Sequence, residues 1–182
     1  MNTSMQKTEQ FSIVDLFSGC GGLALGFQTA GFQIMGGIEM DQSASTTASY
    51  NLYWKKGIDH EHFCGDITES SSDILEVAPG SSPVVIGGPP CQAYSRAGRA
   101  KLNSLGEDRS FHLDSRGKLY QDFLRFALEL DAPAVIMENV PESVNYNGEN
   151  IPHTVCEMLE ENKYEAVWTV LNSADYGVPQ IR

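Results

Sequence analysis

Positive charge is scarce in this sequence. Twelve Lys and Arg stand against 24 Asp and Glu, a formal net charge of −12. Taken as an average, that balance argues against a nucleic-acid partner. There is no run of 18 apolar residues, so no membrane-spanning helix is expected. Residues 1–10 are polar, with one lysine and no apolar core, so a flexible N-terminus and no secretory signal are expected. The four cysteines (Cys20, Cys64, Cys91, Cys156) are far apart and form no C-x-x-C. Neither a metal site nor a disulfide framework is indicated, and a reducing cytoplasm is the expected location.

What is present is a chain of 182 residues, 41% hydrophobic, long enough for one ordinary core. The positive charge is also unevenly placed. Between Cys91 and Arg125 there are seven basic and four acidic residues, whereas the remainder holds five basic and 20 acidic. Charge alone leaves two readings open, a solvated loop and helix face or an anion-binding segment.

The chain is organised around Val84-Val85-Ile86-Gly87-Gly88-Pro89-Pro90-Cys91. The apolar run reads as a buried strand. Gly-Gly-Pro-Pro cannot continue it, because proline lacks the backbone donor and fixes φ. A thiol is thereby placed on a stiff loop just past a strand end, where open α/β sheets bind ligands. A lone cysteine is more often a small buried hydrophobe, so its neighbours must decide.

Strands are expected at 11–17, 32–39, 61–64, 84–86, 134–137 and 164–171, and helices at 23–30, 42–52, 69–77, 117–130 and 152–162. Residues 93–114 show no period and read as a long loop. The alternation argues an α/β fold, a doubly wound, mostly parallel sheet with helices on both faces. Right-handed crossovers then bring the loops after strands one, two, four and five to one sheet edge. Those loops carry Gly19, Gly21 and Gly22, then Glu39, Cys91 and Glu138. A glycine turn followed about 20 residues later by a strand-end acid suits a ribose-bearing ligand. Nicotinamide enzymes share that signal, although this turn is not G-x-G-x-x-G.

A thiolate and a carboxyl group needed together narrow the chemistry. Methylation of cytosine at C5 has that requirement. Thiolate addition at C6 with proton donation at N3, from a carboxyl kept protonated in a dry site, makes C5 nucleophilic. In duplex DNA the base must first leave the stack.

From about Phe11 onward the sequence resembles the cytosine-C5 DNA methyltransferases. Asp15-Leu16-Phe17-Ser18-Gly19-Cys20-Gly21-Gly22 is similar to the family's cofactor loop, and Gly65-Asp66-Ile67 to its adenine-side motif. Pro89-Pro90-Cys91-Gln92 is similar to the catalytic loop. Glu138-Asn139-Val140 and Gln180-Ile181-Arg182 match two further motifs. The resemblance implies a Rossmann-like methyltransferase fold and S-adenosylmethionine as methyl donor. It implies that Phe17 packs on the adenine, that Glu39 holds the ribose hydroxyls and that Asp66 and Ile67 meet the adenine edge. The glycines, Met40 and Pro89 would complete that site. Cys91 would be the nucleophile and Glu138 the N3 contact. Asn139 would brace the Cys91 loop beside Gln92, and Arg182 would bond the flipped cytosine. The residues themselves also admit plainer roles: Asp66 as a turn cap, Phe17 as core, and Cys20 and Cys64 as packing. The partner implied is double-stranded DNA, with a tRNA-methylating relative or a nonenzymatic remnant as alternatives. The chain stops at Arg182, before the family's seventh strand and target-recognition domain. Strand six is therefore expected either to lack its neighbour or to find another one. The chain is expected to be a split-enzyme subunit completed by a second polypeptide, a fragment or a truncated gene, inactive or nearly so when alone.

Overall fold

The structure is a computed structural model and describes residues 11–78, 80–90, 118–146 and 148–180. The expected N-terminal tail, the 93–114 loop, Cys91, Gln92, Ile181 and Arg182 lie outside the described residues. Two compact units are formed. One comprises the described residues up to Pro90 with Lys118–Glu138, and the other those of Asn139–Arg182.

The first unit runs β1 (Ser12–Leu16), α1 (Gly22–Thr29), β2 (Gln33–Glu39), α2 (Gln42–Leu52), β3 (Phe63–Cys64), β4 (Val84–Gly87), α3 (Leu119–Glu129) and β5 (Val135–Met137). The five strands pair in the order β3-β2-β1-β4-β5, every pair parallel. The order departs in both directions from β1, so the topological switch point lies between β1 and β4.

Helices cover both faces. Ile13, Ile34, Val84 and Ile86 pack with Ala24 of α1, Ala48 and Leu52 of α2, and Tyr53. Alternation turns Val85 and Gly87 to the opposite face. There a Cβ on Gly87 would lie 3.1 Å from Phe123 Cε2, which places α3 on that side. Phe123 and Phe126 are wholly buried, each contributing about 2 kcal/mol by area removed from water. The buried face of α3 also takes in Tyr120, Leu124 and Ala127.

Two elements differ from expectation. Residues 69–77 form no α-helix. They are preceded and replaced by 3₁₀ turns at Ile67–Glu69 and Ser72–Leu75. The cause is local competition for backbone groups. Asp66 Oδ1 accepts from Thr68 N–H at 2.9 Å, and the Ser70 hydroxyl donates to Asp66 O at 2.7 Å. The third strand is also shorter than 61–64, because His62 N–H donates to Ser49 Oγ at 2.9 Å rather than to a ladder.

In the second unit, Asn150 caps α4 (Ile151–Glu161) through its bond from His153 N–H. Ile151, Val155, Cys156 and Leu159 form its buried stripe. The expected sixth strand, 164–171, makes no ladder among the described residues. Apolar alternation is present there, but a strand needs a hydrogen-bonding neighbour, and Val167 is 95% exposed.

Candidate active site

Parallel register levels the carboxyl ends of the strands. Leu16 lies beside Ile38 and Gly87, Ile38 beside Phe63, and Gly87 beside Met137. Phe17, Glu39, Gly65, Gly88 and Glu138 therefore leave the sheet at one edge, all within the first unit.

The exit from β1 is sharp. Phe17 has φ +57°, and Gly19 and Gly21 follow at +52° and +81°. A left-handed phenylalanine is costly, and two glycines accept the same region freely. Gly21 also lies against α2, where a Cβ would meet Leu52 Cδ1 at 3.1 Å and Ala48 Cβ at 3.2 Å. Gly19 and Gly22 face open space, with nothing within 4 Å of a Cβ. The turn thus presents bare backbone to open space at Gly19 and Gly22.

Glu39 closes that turn. Its Oε2 accepts from Gly19 N–H at 2.8 Å and its Oε1 from Asp41 N–H at 2.8 Å. Each carboxylate oxygen carries two lone pairs, so acceptor capacity remains toward a ligand diol. Met40 beside it is exposed. The Gly65 N–H donates to Glu39 O at 3.0 Å, bringing the 65–67 turn to the same edge. Asp66 takes up its capping role through Oδ1, and Ile67 is buried.

Across the switch point, Glu138 N–H donates to Gly87 O at 2.9 Å. A Cβ on Gly88 would sit 3.1 Å from Glu138 Oε2. The carboxylate thus lies over the start of the loop that leads, through buried Pro89, to Cys91. Glu138 is exposed, so the dry environment expected around it is not built by the described residues. Asn139 Oδ1 accepts from Val140 N–H at 2.8 Å. Cys20 is exposed and not a packing residue, because the turn carries it outward, while Cys64 is half-buried.

Two features escaped the sequence reading. Asp15 is buried beneath the glycine turn, and desolvation pushes its pKa up to about 7. The Ala24 N–H opposes that rise and Glu39 adds to it. An acid within an apolar strand was the available signal. The other is Arg125, whose guanidinium donates to Ile67 O at 2.7 Å and Ser70 O at 3.0 Å. Among the described residues, no group of three or more His, Cys, Asp or Glu is placed to hold a metal. Nor is any helix there long and apolar enough to cross a membrane.

Residues 11–182 match the C-5 cytosine-specific DNA methylases. The chain belongs to that family. It is 58% identical over 172 residues to M.OihORF3336P of Oceanobacillus iheyensis, named as a type II methyltransferase, with 93% of this chain and 37% of the relative covered. It is 36% identical to the type II methyltransferase M1.HphI of Haemophilus parahaemolyticus, spanning 43% of that protein. It is 35% identical to the type II methyltransferase M.AquIA of Picosynechococcus, spanning 68% of it. This member of the family therefore spans well under half the length of the first two relatives. Its backbone matches a crystal structure described as a prophage-encoded DNA modification methyltransferase of E. coli. The TM-score is 0.71 at 28% identity, covering 95% of this chain and 44% of that one. The S. pombe Dnmt2 structure, at 17% identity and a TM-score of 0.55, shares the fold alone.

Proposed function

We propose that this C5-methylase chain carries the cofactor-binding and catalytic part of a DNA cytosine-C5 methyltransferase of the restriction–modification type, acting in the cytoplasm. One observation carries the reading. The glycine turn, Glu39 and the Glu138–Gly88 contact leave one sheet edge on either side of the switch point.

The residues present fit S-adenosylmethionine. The bare turn of Gly19, Gly21 and Gly22 would face its methionine portion, and Glu39 would hold the ribose hydroxyls. Phe17, Met40, Asp66 and Ile67 would bound the adenine, with Pro89 on the loop side. The cofactor, when bound, supplies an electrophilic methyl group.

The chain's own residues prepare the acceptor. The Cys91 thiolate adds to C6 of a flipped cytosine while N3 takes up a proton, with Glu138 as the N3 contact. That turns C5 into a nucleophilic enamine carbon. Once C5 is substituted, loss of the C5 proton, expulsion of the thiolate and release of the N3 proton restore the ring. Gln92 and Asn139 hold the loop, and Arg182 bonds the base. The basic residues clustered after Cys91 suit a phosphate backbone.

Duplex DNA containing 5-fluorocytosine tests the chemistry, because fluorine cannot leave C5 as a proton does. A covalent adduct that requires Cys91 and the methyl donor is expected. Its absence, with cofactor bound, overturns the catalytic assignment. Labelled methyl transfer to tRNA but not to DNA would instead reassign the substrate.

Completion by further polypeptide belongs to the same reading. β5 pairs with β4 alone among the described residues, and its Ile136 is exposed. An added strand would satisfy the other edge. Co-expression with a candidate target-recognition chain should yield a stable complex in gel filtration. A chain that alone methylates DNA sequence-specifically would refute the need for one.

A further inference from the structure

Asp122, Arg125 and Glu129 sit at i, i+3 and i+7 on α3, off its apolar stripe. Helical spacing stacks them on one face. Arg125 is held by both neighbours, Nη2 to Asp122 Oδ1 and Nη1 to Glu129 Oε1, each at 3.1 Å. Its guanidinium also lies 4.8 Å from the Phe126 ring centroid. The side chain is thereby fixed before it meets anything else, which lowers the entropy lost per bond it forms.

What it meets is the 66–72 turn. Nη2 donates to Ile67 O at 2.7 Å and Nη1 to Ser70 O at 3.0 Å. Glu129 Oε2 accepts from Ser72 N–H at 3.0 Å. Burial raises the Glu129 pKa, but the Ser72 and Arg125 bonds outweigh it and hold the carboxyl below its ordinary range. Three backbone groups of a turn with no α-helix or strand of its own are satisfied from one helix face. Asp66 and Ile67, at the head of that turn, are set by the Asp66 cap, the Gly65 bond to Glu39 O and the burial of Ile67, and this clamp adds the hold from α3.

We propose that Arg125, braced by Asp122 and Glu129, is a positioning residue for methyl-donor binding, holding the Asp66–Ile67 turn in the conformation that receives the adenine end of the cofactor. The inference rests on the cofactor assignment above. It adds that the affinity of this site is set from α3, a helix that itself touches no ligand in that assignment.

The test compares the wild-type full chain with Arg125→Lys and Arg125→Ala by calorimetry with S-adenosylhomocysteine, with thermal melting and backbone amide exchange alongside. Loss of the forked, charge-assisted bonds should weaken binding about tenfold in Arg125→Ala. Arg125→Lys, which keeps the charge but cannot span both carbonyls, should recover only part. Faster amide exchange should be confined to residues 67–72. In the complete enzyme, the KM for the methyl donor should rise while kcat and the KM for DNA change less than twofold. A lowered melting temperature with unchanged affinity in both variants would make Arg125 merely structural and overturn the inference. Failure of the wild-type chain to bind the probe would instead overturn the cofactor assignment. If Arg125→Ala does not fold, Glu129→Gln loosens the Ser72 end alone and must show the same direction in affinity and exchange.

Discussion

The carboxylate of Glu39 accepts the backbone N–H of Gly19 at 2.8 Å, across 20 residues of chain. The strand-end acid therefore shapes the turn before any ligand arrives. Glu39→Ala removes both the staple and the diol acceptor, whereas Glu39→Gln keeps one acceptor oxygen. Binding of S-adenosylhomocysteine should fall at least tenfold in the first and less in the second. Cys91→Ser should leave that affinity within twofold while abolishing turnover. Equal losses of affinity in Glu39→Ala and Cys91→Ser would contradict the division of roles.

Gly88 has no positive φ, so alanine there carries no backbone strain. Its Cβ, however, would press on Glu138 Oε2 at 3.1 Å. Gly88→Ala should push the carboxylate aside by a few tenths of an ångström and lower kcat severalfold. Cofactor affinity and melting temperature should be nearly unchanged. Full activity in Gly88→Ala would mean that the orientation of Glu138 is immaterial.

Asp15 gives a pH signature of folding. Its pKa is raised, chiefly by desolvation, from 3.8 to about 7. The folded state thus holds this proton more tightly than the unfolded chain does. That contribution is fully present below about pH 4 and is lost as pH rises toward 7. His62 runs the other way: burial lowers it from 6.5 to about 4, so its contribution is lost as pH falls through that window. The wild type alone would blend the two. The difference between Asp15→Asn and wild type isolates the first, and the variant should gain a few kcal/mol relative to wild type between pH 4 and 8. Urea midpoints across that range measure it. A pH-independent difference would show that the carboxyl is not protonated on folding.

Period and punctuation in the sequence delimit α1, α2, α3, α4 and the strands β1, β2, β4 and β5 to within a few residues. They also determine the residues at the strand exits. Each of these follows from local rules: an apolar run of fixed period, a glycine where φ turns positive, a proline where a strand must stop. The ordered motifs were likewise legible, and with them the family. Tertiary structure alone decided three things. Whether 164–171 forms a strand depends on a neighbour, which local alternation cannot supply. In the 69–77 segment, the local bonds of Asp66 and Ser70 are joined by Arg125 and Glu129, which take Ser70 O and Ser72 N–H from across the fold. That Arg125 grips Ile67 and Ser70, more than 50 residues away, follows from α3 packing over the sheet. Long-range contacts of this kind depend on where whole elements come to rest, and no spacing along the chain encodes that position.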